Sequence, residues 1–198
     1  MKKNSRNTEF DEVFLSKIRS FFNLSEEDSQ YLKSSLKLAT FKKGHVLSGR
    51  NEILQNAIFL NKGAVRTYYL EKGKEHNYSF SFAPHFVIKP QSIIETGARQ
   101  IFVQTLTDTE VLYIPVAALN TLRNRNSGEV YKFMNAGLIN YIQYLEEQML
   151  MLHMSAKERY EWVVERYPQL LELVSVTQLA SYLNLTKETL YRIRSGKY

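Results

Sequence analysis

The side chains with the most chemistry to offer crowd the C-terminal end. Between Thr186 and Tyr198 the cations Lys187, Arg192, Arg194 and Lys197 stand against a single acid, Glu188. The hydroxyls of Thr177, Thr186 and Thr189 and the phenol of Tyr191 lie among them. Arginine donates two parallel hydrogen bonds to a guanine edge, and glutamate accepts from a cytosine amino group. Ammonium and hydroxyl groups suit phosphate oxygens. The set therefore fits a duplex nucleic acid, with a solvated charged face as the plainer reading. Which holds depends on how the chain presents these groups.

The local sequence supplies a frame for them. Ser175-Val176-Thr177-Gln178 has the form of a capping box and starts a helix. Leu179, Leu183, Leu185, Leu190 and Ile193 are spaced to face inward. Two short helices crossing steeply need one small inward residue, and Ala180 is small. The bend between them needs a left-handed backbone, which Asn184 tolerates. Thr186 is placed to cap a second helix. These demands together describe a helix-turn-helix whose second helix carries Lys187, Glu188, Thr189, Tyr191, Arg192 and Arg194. Upstream, Ser155-Ala156-Lys157-Glu158 is another capping box, and its helix must stop near Tyr167 because Pro168 follows.

Further back, Met134, Leu138, Tyr141, Leu145 and Leu152 form one helical stripe, with Ile142 and Met149 flanking it. The stripe predicts a dimer interface through Met134, Leu138, Tyr141, Leu145, Met149 and Leu152. A helix lying on its own domain would show the same pattern. From Phe41 to Pro115 the chain reads as short strands of β-branched and aromatic residues. Turns at Lys43-Gly44, Lys62-Gly63, Lys72-Gly73 and Thr107-Asp108 separate them. That rhythm suits a small antiparallel sandwich or barrel. The stretch before Phe41 reads as helical, starting at Ser25-Glu26-Glu27-Asp28 and continuing through Tyr31, Leu32, Leu36 and Leu38.

The expected fold is thus α+β. An antiparallel β-sandwich or barrel with flanking helices fills 1–125, a dimerisation helix fills 126–154, and a small all-α helix-turn-helix domain fills 155–198. The 198 residues are 44% apolar and carry a net charge of +6, which permits a packed core and favours anionic partners. Cysteine is absent, which excludes disulfides, thiolate-held iron–sulfur clusters, zinc–cysteine sites and thiol nucleophiles. His45, His76, His85 and His153 lie scattered without ligand spacing, so no metal site is expected. No apolar run is long enough to span a membrane. The start, MKKNSRNTEF, lacks the apolar stretch of a signal peptide, so the cytoplasm is the expected compartment.

With these residues placed, the chain resembles the Crp/Fnr family of bacterial regulators. The order of parts matches, which implies a cyclic-nucleotide-binding-type jelly roll for the β region, and Leu179 to Arg194 is similar to the family's DNA-reading segment nearly throughout. The resemblance puts Lys187, Glu188 and Arg192 at the main DNA-contacting positions. Thr107 to Leu112 looks like the family's last barrel turn and strand, and Phe41 to Leu47 like its opening strand and turn. It also implies a homodimer on double-stranded DNA, with RNA polymerase as a further candidate partner. Members that bind cyclic AMP use a Gly-Glu-Leu segment, whose glutamate holds the ribose, and a later arginine that holds the phosphate. Here Lys89 stands at the glutamate's place, in Phe86-Val87-Ile88-Lys89-Pro90. Arg99 is kept, followed by Gln100 in place of a small hydroxyl residue. The expected effector site is therefore Lys89, Arg99 and Gln100, with Tyr144 closing it from the long helix. It takes no cofactor, and a small anionic effector fits it better than cyclic AMP. Only four residues follow Arg194, which leaves no expected wing hairpin.

Two other classes of function compete. A ligand-sensing module could use its helical tail to bind a protein. An enzyme would need a nucleophile–base arrangement, a phosphate loop or paired carboxylates, and none stands out.

Overall fold

The computed structural model describes residues 14, 16, 24–47, 55–87, 101–125 and 127–198. Helix α1 (Glu26–Ser35) is capped by Ser25, whose hydroxyl accepts from the Asp28 N–H at 3.1 Å. It ends earlier than the sequence predicts. Leu36 already has an extended backbone, and Leu38 belongs to strand β1 (Lys37–Phe41), opposite Leu112.

Among the described residues six further strands follow: β2 (Asn56–Lys62), β3 (Ala64–Glu71), β4 (Lys74–Phe82), β5 (His85–Val87), β6 (Ile101–Thr105) and β7 (Thr109–Pro115). They form two antiparallel sheets in the orders β1-β7-β2-β5 and β4-β3-β6. Alternate residues point inward, so Ile58, Leu60, Val65, Val103 and Val111 meet between the sheets as one buried cluster. This is the core of the antiparallel sandwich that the turn spacing implies, in the jelly-roll form that the family resemblance implies.

The β2–β3 connection depends on Gly63. Its φ is +90°, and an added Cβ would stand 2.6 Å from the Asp108 carbonyl oxygen and 2.6 Å from the Thr107 hydroxyl. Only glycine combines that backbone with so close an approach. Across the same corner, Asp108 receives the Lys43 N–H at 3.2 Å and pairs with the Lys42 ammonium. The hydrogen bond from Lys42, then that from Lys43, holds the Asp108 carboxyl below its ordinary pKa.

Helix α2 (Val116–Arg125) leaves the barrel and leads into α3 (Ser127–His153). At 27 residues α3 is about 40 Å long. Then come α4 (Ala156–Arg166), the short α5 (Leu170–Leu173), α6 (Val176–Tyr182) and α7 (Lys187–Arg194). Both predicted capping boxes are present, at Ser155/Glu158 and Ser175/Gln178. Helix α4 stops at Arg166, one residue before the Tyr167-Pro168 pair, as the proline requires.

The C-terminal helices share a core of Val163, Leu170, Leu179, Ala180, Leu183 and Leu190, which Met151 of α3 joins. Phe80 and Phe82 of β4 also pack against it. The C-terminal domain thus sits on the barrel as well as on the long helix. Among the described residues, no helix is long and apolar enough to cross a membrane and no cluster of three or more potential metal ligands occurs.

Candidate nucleic-acid interface and sensor cavity

Helices α6 and α7 form the predicted helix-turn-helix, and short-range hydrogen bonds set its geometry. Leu183 closes α6 by donating to the Leu179 carbonyl. Asn184 then takes φ +53°, the left-handed bend the sequence predicts there. The Leu185 N–H returns to the Ala180 carbonyl at 2.9 Å, a contact that keeps the turn close against the smallest inward residue. Thr186 caps α7 by accepting from the Thr189 N–H at 3.1 Å. Leu190 and Ile193 face the core, which turns the rest of α7 outward.

Nearly all the sequence-predicted DNA-binding residues are on that outward surface. Thr177, Thr186, Lys187, Glu188, Tyr191, Arg192, Arg194 and Lys197 are exposed. Thr189 is half-buried, its hydroxyl 3.0 Å from that of Thr186, so it serves the cap as well. Lys187, Tyr191 and Arg194 are spaced by four and three residues and lie along one face, with Glu188 and Arg192 as a neighbouring row. A hydrogen bond from its own backbone N–H, then one from Thr186, lowers the Glu188 pKa, so it stays an ionised acceptor at neutral pH. The Arg192 guanidinium lies 5.8 Å over the Tyr198 ring.

The long helix exposes an apolar row. Leu138, Ile142, Leu145, Met149 and Leu152 follow each other at spacings of four and three, and each is 40% exposed or more. Four of these are sequence-predicted seam residues, and Ile142 lies within the row rather than on its flank. Tyr141 turns to the side: it is half-buried and stacks on Tyr144, 6.4 Å between ring centroids. The side chain of Met134 lies outside the described residues.

Of the predicted effector residues, Lys89, Arg99 and Gln100 lie outside the described residues, and Tyr144 lies within them. Tyr144 borders a cavity of about 190 Å³ between the edge of β4, helix α3 and the end of α4. Tyr78, His85, Tyr141, Arg166 and Tyr167 contribute to its wall. The Tyr144 hydroxyl donates to the Tyr78 carbonyl at 3.1 Å. Burial first, and then the Tyr78 phenol, pushes the Tyr144 pKa far above its ordinary value, so the phenol remains a neutral donor. At the far end, Glu147 accepts from Arg166 at 3.3 Å and from the Tyr167 hydroxyl at 3.4 Å. Arg166 and Tyr167 escape a sequence reading because only the fold brings α4 against β4 and α3.

Comparison with known proteins agrees with this layout. Residues 38–126 match the cyclic nucleotide-binding domain family. No curated protein matches the sequence at a significant level. Solved structures do. A protein of Eubacterium rectale described as a transcriptional regulator of the Crp/Fnr family superposes with a TM-score of 0.68 at 17% identity, covering 88% of this chain and 83% of its own. FixK2 of Bradyrhizobium japonicum gives 0.67 at 19% identity, over 81% and 83% of the two chains. The c-di-GMP-responsive global regulator CLP of Xanthomonas campestris gives 0.64 at 14% identity, over 87% and 91%. The chain carries a cyclic nucleotide-binding domain at residues 38–126 and, taken whole, has the fold of the Crp/Fnr transcription regulators.

Proposed function

We propose that this chain is a homodimeric, sequence-specific DNA-binding transcription regulator. The observation that carries this reading is the exposed face of α7. It presents Lys187, Tyr191, Arg192 and Arg194 outward, on a helix capped and oriented by its own turn. Such a helix enters the major groove, where Arg192 donates to guanine, Glu188 accepts from cytosine, and Thr177 and Lys197 meet the backbone. The row from Leu138 to Leu152 on α3 pairs with its copy, setting two recognition helices about one turn of DNA apart. The barrel senses a small ligand at the Lys89, Arg99, Gln100 and Tyr144 positions, and RNA polymerase is the next partner on the promoter. The work is done by binding, in the cytoplasm, without a catalytic residue.

Binding to random duplex DNA tests the reading. A protein that neutralises phosphates must lose affinity steeply as salt rises. Arg192→Ala should cost about 1–3 kcal/mol on a selected site and relax preference at one base pair, while Lys197→Ala should weaken all sequences alike. Salt-independent binding, or identical behaviour of the two variants, overturns the assignment. For the barrel, calorimetry with cyclic AMP should show no binding at micromolar ligand, because the family resemblance aligns Lys89 with the carboxylate that holds the ribose. A micromolar or tighter cyclic AMP complex would refute that placement.

A further inference from the structure

The outer face of the β3–β4 hairpin holds a side-chain arrangement that barrel stability alone does not require. Arg66 sits on β3, next to the inward-facing Val65 and on the opposite side of the strand. It is only 3% exposed although it carries a full charge. A buried cation is tolerated only when its donors are matched. Here the Nε donates to the Gln104 Oε1 at 2.8 Å, and Nη1 donates to the Glu75 Oε2 at 2.6 Å and the Asn77 Oδ1 at 3.0 Å. The Tyr68 ring lies 4.1 Å beneath the guanidinium.

The consequence falls on Asn77. A carboxamide has one accepting and one donating end, and a guanidinium can engage only the acceptor. Arg66 therefore fixes the Asn77 oxygen toward itself and the Asn77 Nδ2 away. Nδ2 donates at 3.2 Å to the carbonyl of Gln178, in the first helix of the helix-turn-helix. Two more bonds join the same surfaces. The Asn77 backbone N–H donates to the Ser181 hydroxyl at 3.0 Å, and that hydroxyl donates to the Glu75 carbonyl at 3.1 Å. Phe80 and Tyr182 close the contact edge to face, with 4.9 Å between centroids.

We infer that Arg66, Asn77 and Ser181 are positioning residues for DNA reading: the barrel, not the long helix alone, fixes where the recognition helix stands. Tethered only through α3 and the segment near Met154, the helix-turn-helix would swing about that point. Held a second time on β4, its distance from the twin in a dimer is set. None of the exposed residues on α7 takes part in the contact, so the docked domain remains open to DNA. The inference rests on the dimeric DNA-binding reading above.

The test is the double variant Asn77→Asp/Ser181→Ala in the full chain. Aspartate keeps the shape and the acceptor for Arg66, so the barrel stays folded, but it cannot donate to the Gln178 carbonyl. Alanine removes both Ser181 bonds. Duplexes selected by the wild-type protein from random sequence are then rebuilt with the half-sites moved two base pairs apart or together. Wild type should prefer its selected spacing by at least about tenfold, and the variant should prefer it by no more than about threefold. Small-angle X-ray scattering without DNA should fit one arrangement for wild type and require a spread of arrangements for the variant. Unchanged spacing preference or unchanged scattering in the variant overturns the positioning role and leaves the regulator reading standing. A wild-type protein that binds no duplex at any spacing overturns the regulator reading and takes the positioning role with it, whatever the scattering shows.

Discussion

The helix-turn-helix and the cavity beside Tyr144 are built in opposite ways. The first is assembled from neighbours along the chain. Its caps reach three residues, from Ser175 to Gln178 and from Thr186 to Thr189, and its turn closes from Leu185 back to Ala180. The cavity borrows Tyr78 from β4, Tyr144 from α3 and Arg166 from α4, which meet only when the whole chain has folded. A surface made of local bonds can be recognised and altered piece by piece. A site made of distant parts depends on every element that brings them together, so it can couple those elements.

The sharpest way to break this contrast is at the long helix, which both regions share. Leu145 is exposed within the apolar row, so Leu145→Glu should leave the protomer folded and place two carboxylates across the proposed seam. Light scattering should show monomers. Affinity for a two-half-site duplex should fall by about a hundredfold or more, because the second half-site is no longer bound intramolecularly. A variant that remains dimeric moves the interface away from this row.

The barrel should be far less tolerant of a small local change. Gly63→Ala places a Cβ against the Asp108 carbonyl in a left-handed backbone. Strain and overpacking together should cost about 3 kcal/mol in urea unfolding. The folded fraction should bind DNA as wild type does, since α7 is untouched. Unaltered stability would mean that the corner opens more readily than this close approach allows.

The same contrast explains what was legible in the sequence. The capping boxes, the stop before Pro168, the inward leucines and the Asn184 bend are all short-range, and each stands where the residues place it. The strand order was out of reach, because β1 pairs with β7 at the far end of the barrel and no local pattern announces that. Leu38 shows the mechanism of the error. Leu32 to Leu36 is a helical step, but the backbone pairing of β1 with β7, which sets Leu38 opposite Leu112, overrides any continuation. Tyr141 falls at the edge of the apolar stripe, and only the ring of Tyr144 decides which way it turns. Arg66 lies on a strand as one more outward charge, and only the fold brings Gln104, Glu75, Asn77 and Tyr68 around it.

The smallest effect is expected at Asn184, and it tests how local the helix-turn-helix is. This residue is exposed and holds φ +53°, a conformation that costs an ordinary residue about 1–2 kcal/mol and asparagine less. Glycine adopts it freely but loses more chain entropy on folding. The balance for Asn184→Gly should be a gain of about 0.5 kcal/mol, and Asn184→Val should instead lose more than about 1 kcal/mol. If the turn is fixed by its own backbone, glycine should leave spacing preference and DNA affinity unchanged while the melting temperature rises slightly. If Asn184→Gly instead weakens DNA binding, the bend is held by something beyond its own residues. The contrast between a locally built helix-turn-helix and a collectively built cavity would then have to be abandoned.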